Sequence, residues 1–136
     1  TFGFPFLLTA RAENLIRGVD DLDDTIRRLQ AFEIAGAQVV YAPGLKTLDE
    51  VRLVSESVNV PVNVLATPMR GFSVAEMAAN GAKRISIGGA LARAVASYIV
   101  SAGREMLEPG TFEWSADMIP AGELAALFRQ ASKHDG

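Results

Sequence analysis

The chain has no cysteine and only one histidine and one tryptophan among its 136 residues. The missing cysteine excludes a disulfide framework, a thiolate zinc site and a cysteine nucleophile together. The one histidine, His134, stands third from the end of the sequence, where it reads as a frayed tail. A histidine triad and a histidine metal site are thereby set aside. Basic charge is also scarce: 13 Lys and Arg against 16 Asp and Glu give a formal charge of −3. Nucleic-acid binding, which usually calls for a clustered basic face, has no support here. No run approaches the roughly 18 uninterrupted apolar residues of a membrane span. The opening TFGFPFLL lacks the basic region of a signal peptide. These absences predict a soluble, cytoplasmic protein with no nucleic-acid and no membrane partner.

What is present belongs to the globular class: 49% hydrophobic and 21% charged residues, with 12 Gly and 6 Pro. A chain of this length buries about two-thirds of its unfolded surface, enough for one modest core. The expectation is a single α/β domain over residues 1–136, with 111–136 as a C-terminal loop and helix extension.

Apolar runs and helical stripes alternate along the sequence. FLLTA, residues 6–10, suits a strand buried on both faces. DDLDDTIRRLQAFEIAG then sets Leu22, Ile26 and Leu29 on one helical stripe, with Asp20 or Asp21 as N-cap and Gly36 as the stop. Its acidic run is a capped helix start and not a calcium loop, which would need an interleaved glycine and a terminal glutamate. A second strand is predicted at residues 39–42 and ends at Pro43-Gly44. Thr47 and Glu50 have capping-box spacing ahead of Leu48, Val51 and Val54, and Ser73 and Glu76 repeat it. Further strands are predicted at 60–66 and 84–87, and helices from Ser73 to Gly81, over 90–107 and in the tail around Leu124, Leu127 and Phe128. Trp114 reads as a loop anchor or an interface residue.

The order β-α-β-α-β-α-β-α plus a helix predicts parallel strands with right-handed crossovers. Gly36-Ala37 and Gly81-Ala82 form a weak internal repeat, each a helix stop followed by a strand entry. Such a chain is either a small open doubly wound sheet or half of an eight-stranded β/α barrel, and periodicity does not separate them. Both place ligands at the carboxyl ends of strands. Those ends carry Arg11, Glu13 and Asn14, then Pro43-Gly44, then Thr67-Pro68, then Gly88-Gly89.

LLTARAEN, AGAQVVYAPGL, VPVNVLATP and GAKRISIGGALARA, in that order, resemble the isocitrate lyase and phosphoenolpyruvate mutase superfamily. The likeness is to its phosphonomutase and oxaloacetate decarboxylase-like branch in particular. The resemblance implies a barrel about twice this length, with these segments as its strands five to eight, so that the chain is its C-terminal half. It implies a magnesium-dependent enzyme acting on 2-oxo acids or phosphonate analogues through a pyruvate enolate, by C–C cleavage, decarboxylation or phosphonate rearrangement. The Mg2+ ligands and the gating loop, which carries an acid cysteine in the lyases, would lie in the other half, leaving this chain alone inactive. Arg11 matches the arginine that grips the substrate carboxylate or phosphonate, a task suited to a guanidinium's paired donors. Glu13 and Asn14 share its motif, and Glu13 is expected to bind substrate or orient Arg11. Asn63 has the parity of Pro61 and Leu65 and is expected to face the substrate or to be a buried, hydrogen-bonded asparagine. Gly88 is expected to offer backbone amides to an anion, or else to relieve crowding with Gly89 at a tight turn.

The second strand ends in Ala42-Pro43 where the lyase branch commonly has a glutamate, which weakens the methylisocitrate lyase reading. Lys83 and Arg84 are read at the amino end of the fourth strand, the stability end of a barrel. Unpaired edge strands predict association with a second copy or with an N-terminal half, and the resemblance places the subunit contact in residues 90–130. The alternative is a non-catalytic α/β module that binds a small anion or a partner protein.

Overall fold

Local signals in the sequence set the helices of the computed structural model, which describes residues 3–131. His134 lies outside the described residues. Four parallel strands, β1 (Thr9–Arg11), β2 (Val39–Tyr41), β3 (Val62–Leu65) and β4 (Ala82–Ser86), form one sheet in the order β1-β2-β3-β4. Helices α1 (Leu22–Ile34), α2 (Leu48–Glu56) and α3 (Val74–Ala79) connect them, and α4 (Ala90–Leu107) follows β4.

The caps form as the spacing predicts. Asp21 closes the start of α1, its carboxylate accepting the Asp24 amide at 2.7 Å. Thr47 and Glu50 form a reciprocal capping box on α2, and Ser73 and Glu76 form another on α3. At the end of α1, Gly36 takes φ +99° and its amide bonds Glu33 O while that of Ala37 bonds Phe32 O, the double closure of a Schellman turn. Gly81 repeats the conformation at φ +101°.

The core lies between the helices and one face of the sheet. Val40, Val62 and Val64 supply it from the strands, and Leu29, Val51 and Val54 from α1 and α2, all at most 1% exposed. Leu22 and Ile26 pack against its margin, so the predicted stripe of α1 does face the sheet. Each crossover advances the chain by one strand in the same direction. With right-handed crossovers this places α1, α2 and α3 on one face. A doubly wound sheet needs a reversal in strand order, and this sheet has none. The topology is that of a partial β/α barrel.

The first strand departs from its expectation. The strand register starts at Thr9, just after the Leu8 carbonyl accepts from the Gln38 and Val39 amides, and Leu7 and Leu8 are 69% and 48% exposed. β1 is an edge strand of the sheet among the described residues. The apolar run is therefore exposed at Leu7 and Leu8 while Ala10 packs against the core, and it is not a strand buried on both faces.

The chain divides into two compact units, Thr1–Ala90 and Leu91–Gly136. The second comprises most of α4, a short 3-10 segment at Glu113–Asp117 and helix α5 (Ala121–Ala131). Within it the Glu105 carboxylate accepts from the Thr111 hydroxyl at 2.9 Å and from the amides of Glu113 and Trp114 at 2.6 and 3.2 Å. The Tyr98 hydroxyl donates to Trp114 O at 2.5 Å. The Trp114 backbone thus sits in a loop pinned from both sides. Among the described residues no helix is long and apolar enough to cross a membrane.

Candidate functional site

The face of the sheet opposite the helices carries the polar residues. In a strand, successive side chains alternate between faces; with Val40, Val62 and Val64 turned to the helices, Tyr41, Asn63 and Leu65 take the other side. The register pairs Arg11 with Tyr41, Tyr41 with Asn63, and Asn63 with Arg84. One row across four strands therefore reads Arg11, Tyr41, Asn63, Arg84.

Arg11 closes β1, where the chain leaves the sheet through the Ala12 amide's bond to Tyr41 O at 2.9 Å. Its guanidinium lies over the Tyr41 ring, 5.0 Å from the centroid, a cation–π contact worth about 0.5–1 kcal/mol at an accessible site. Its Nε donates to the Glu13 carboxylate, and Arg17 Nε lies 3.9 Å from the other Glu13 oxygen. Glu13 therefore holds one edge of the fork, while the two terminal nitrogens remain available to a planar anion. Both partners are roughly half exposed, so the pair orients Arg11 more than it stabilises the fold.

Asn14 serves the loop and not the face. It is buried, and its Nδ2 donates to Thr25 Oγ1 at 2.6 Å and to Asp21 O at 3.1 Å. The Thr25 hydroxyl in turn donates to Asp21 O at 2.8 Å. This buried cluster ties the segment after β1 to the first turn of α1 and so fixes where Arg11 and Glu13 start.

Asn63 is 1% exposed at the centre of the row. Its Nδ2 donates to Ser86 Oγ at 3.0 Å, and its Oδ1 has no hydrogen-bond partner. A buried acceptor left unpaired costs about 1–3 kcal/mol, so this oxygen marks a place where a donor is wanted. Gly88 adopts φ +54°, and a Cβ there would meet only Leu65 Cδ1, at an ordinary 3.6 Å; at Gly89 nothing lies within 4 Å. Crowding does not explain these glycines. The left-handed backbone accounts for Gly88 alone.

Two residues are placed differently from their reading in the sequence. Arg84 does not stand at the amino end of the fourth strand: β4 begins at Ala82, and a register shift between Val62 and Asn63 brings Arg84 opposite Asn63 in mid-strand. Tyr41 had no assigned role, yet it stacks under Arg11. The predicted second strand runs to residue 42, so only the pairing of Arg11 with Tyr41 reveals the relation. Among the described residues no group of three or more His, Cys, Asp or Glu could hold a metal ion, so these residues do not fit a magnesium site.

The family model for phosphoenolpyruvate phosphomutase matches residues 1–107. The chain belongs to that family, within the isocitrate lyase and phosphoenolpyruvate mutase superfamily. Its solved relatives are of the same kind. A Burkholderia cenocepacia J2315 protein described as a lyase/mutase is 46% identical with a TM-score of 0.83, over 93% of this chain and 46% of that one. The phosphoenolpyruvate phosphomutase of Streptomyces platensis subsp. rosaceus is 27% identical with a TM-score of 0.67, over 96% and 46%. Phosphonopyruvate hydrolase, solved with oxalate and Mg++, is 25% identical with a TM-score of 0.64, over 96% and 47%. No curated protein matches. The chain spans less than half the length of these solved relatives, and its kinship to enzymes of this superfamily gives it an enzymatic origin.

Proposed function

We propose that this chain forms strands five to eight of a β/α barrel and supplies the anion-gripping arginine of an enzyme acting on 2-oxo acids or their phosphonate analogues. The observation that carries the reading is Arg11. It stands at the carboxyl end of a parallel strand, where ligands bind in such folds, with Nε held by Glu13 and its terminal nitrogens presented beside Tyr41. Those nitrogens can donate two parallel hydrogen bonds to a carboxylate. As an α-carbanion develops on a bound 2-oxo acid, its charge spreads to the oxygen as an enolate, and a fixed cation beside that oxygen stabilises it. C–C cleavage, decarboxylation and phosphonate rearrangement share this step.

Glu13 acts in this reading as a positioning residue, and Gly88, at the carboxyl end of β4, adds backbone polarity near the same end of the sheet. Magnesium is proposed as the family's ion, with its ligands outside residues 3–131. When bound it supplies electrophilic stabilisation of the ligand's oxygens.

The test replaces Arg11 with Ala in the protein that carries this chain and measures turnover of 2-oxo acids and phosphonopyruvate. Loss of one such electrostatic group lowers turnover by about 10²–10³-fold. Unchanged kinetics would remove Arg11 from the site. A wild-type protein inert toward the whole substrate class would instead favour a binding module.

A further inference from the structure

The function proposed above leaves Arg84 unused. The register sets it in the row of Arg11, Tyr41 and Asn63, on the sheet face opposite the helices. Its side chain is exposed and forms no hydrogen bond or ion pair among the described residues. The two arginines of this row differ in that respect. Among the described residues, Arg11 is matched by the Glu13 carboxylate, whereas no ion pair involves Arg84.

The spacing between them suits one small ligand. Parallel strands lie about 4.8 Å apart, so Arg11 and Arg84 start about 14 Å apart along the sheet. Arg11 does not stay over its own strand: its guanidinium covers Tyr41, one strand nearer to β4. Two strand spacings remain, about 10 Å, which the Arg84 side chain shortens further from its own end. The floor of the gap is Asn63, buried, with Oδ1 unpaired.

We propose that Arg84 is a specificity-determining residue that binds the second anionic group of a dianionic 2-oxo acid whose first carboxylate is held by Arg11. The inference rests on the 2-oxo acid reading of this face. A ligand bridging the two guanidiniums places one anionic group on each cation. It also draws Arg84 across Asn63, where an N–H can meet the orphaned Oδ1. A monoanion engages Arg11 alone and leaves Arg84 in solvent.

The test is calorimetric binding of oxaloacetate, with two carboxylates, and pyruvate, with one, to the protein that carries this chain and to its Arg84→Met and Arg84→Lys variants. Methionine keeps the apolar stem and removes the charge. Lysine keeps the charge and removes the fork. Loss of a charge-assisted hydrogen-bonded contact corresponds to about 10- to 150-fold in affinity. The expected result is a loss of that size for oxaloacetate in the Met variant and a smaller loss in the Lys variant, with pyruvate affinity within about twofold of wild type in both. Oxaloacetate affinity unchanged in both variants overturns the proposal. Equal losses for the two ligands overturn it as well, because they assign Arg84 to the fold. If wild type binds neither ligand, the 2-oxo acid reading falls and this inference with it, and the wild-type titration alone distinguishes that case.

Discussion

Replacing Gly81 with Ala tests how β4 is set against α2. Gly81 lies at φ +101°, and a Cβ added there would stand 2.4 Å from Ser55 Cβ and 2.6 Å from Ser55 Oγ. Two penalties follow. A left-handed backbone costs a non-glycine residue about 1–3 kcal/mol, and forcing an extra carbon into a filled space costs about 1–3 kcal/mol more. The chain supplies its own control, because Gly36 occupies the equivalent helix stop at φ +99° with nothing within 4 Å of the added carbon. Gly36→Ala pays the backbone term alone. In urea unfolding followed by circular dichroism, Gly81→Ala should lose about 1–3 kcal/mol more than Gly36→Ala. Adding Ser55→Gly to Gly81→Ala should remove most of the excess, after correction for the about 1 kcal/mol that a glycine costs inside a helix. Equal losses at Gly36 and Gly81 would refute the steric argument, and failure of the double variant to recover would show that Ser55 is not the obstacle.

Two further outcomes concern the caps and the loop beneath the site. Asn14→Ala leaves the Thr25 hydroxyl and Asp21 carbonyl without the donor that joins them. It should cost about 1–3 kcal/mol in urea unfolding and weaken ligand binding through Arg11; a variant that loses neither would detach this cluster from the site. Hydrogen bonds from the Ser73 amide and hydroxyl hold the Glu76 carboxyl below its usual range. The folded state therefore binds fewer protons than the unfolded one between the lowered value and the ordinary glutamate value of about 4.3. The stabilisation is complete above that ordinary value and is lost as pH falls through the lowered one. Amide exchange in α3 should accelerate across this window in wild type and lack the step in Glu76→Gln. A step of the same size in both would rule out the capping carboxylate as its source.

The helices were readable because their signals are local. Thr47 with Glu50, Ser73 with Glu76 and Asp21 with Asp24 each satisfy amides three residues away, so spacing alone locates them. Helix α4 falls on the predicted residues 90–107 for the same reason, with Gly88-Gly89 before it and Pro109-Gly110 after it. Strand limits depend on a partner far away in sequence. The run at residues 6–8 is as apolar as any strand, yet the strand register starts at Thr9, opposite Val39, the first residue of β2. The same non-local cause hid Arg84. Its place follows from the register shift between Val62 and Asn63, and no spacing within β4 announces that shift. Arg11 was legible as a charged residue closing an apolar run, whereas Tyr41 became meaningful only once β1 and β2 were aligned.

Strand order links topology to chemistry. A sheet whose crossovers all advance in one direction collects its helices on one side, and the valines at positions 40, 62 and 64 turn to that side. Alternation then forces the intervening residues onto the opposite face, and those residues are Tyr41, Asn63 and Arg84, with Arg11 at the row's end. In an open doubly wound sheet the second face would be covered by helices, and a buried asparagine beside two arginines would be a costly core. In a barrel the same face is the interior, whose carboxyl-end mouth is where ligands bind. The polar row is a burden on the first architecture and a requirement of the second. Sheet order and side-chain chemistry thus reach the same architecture as the family match, each by a separate route.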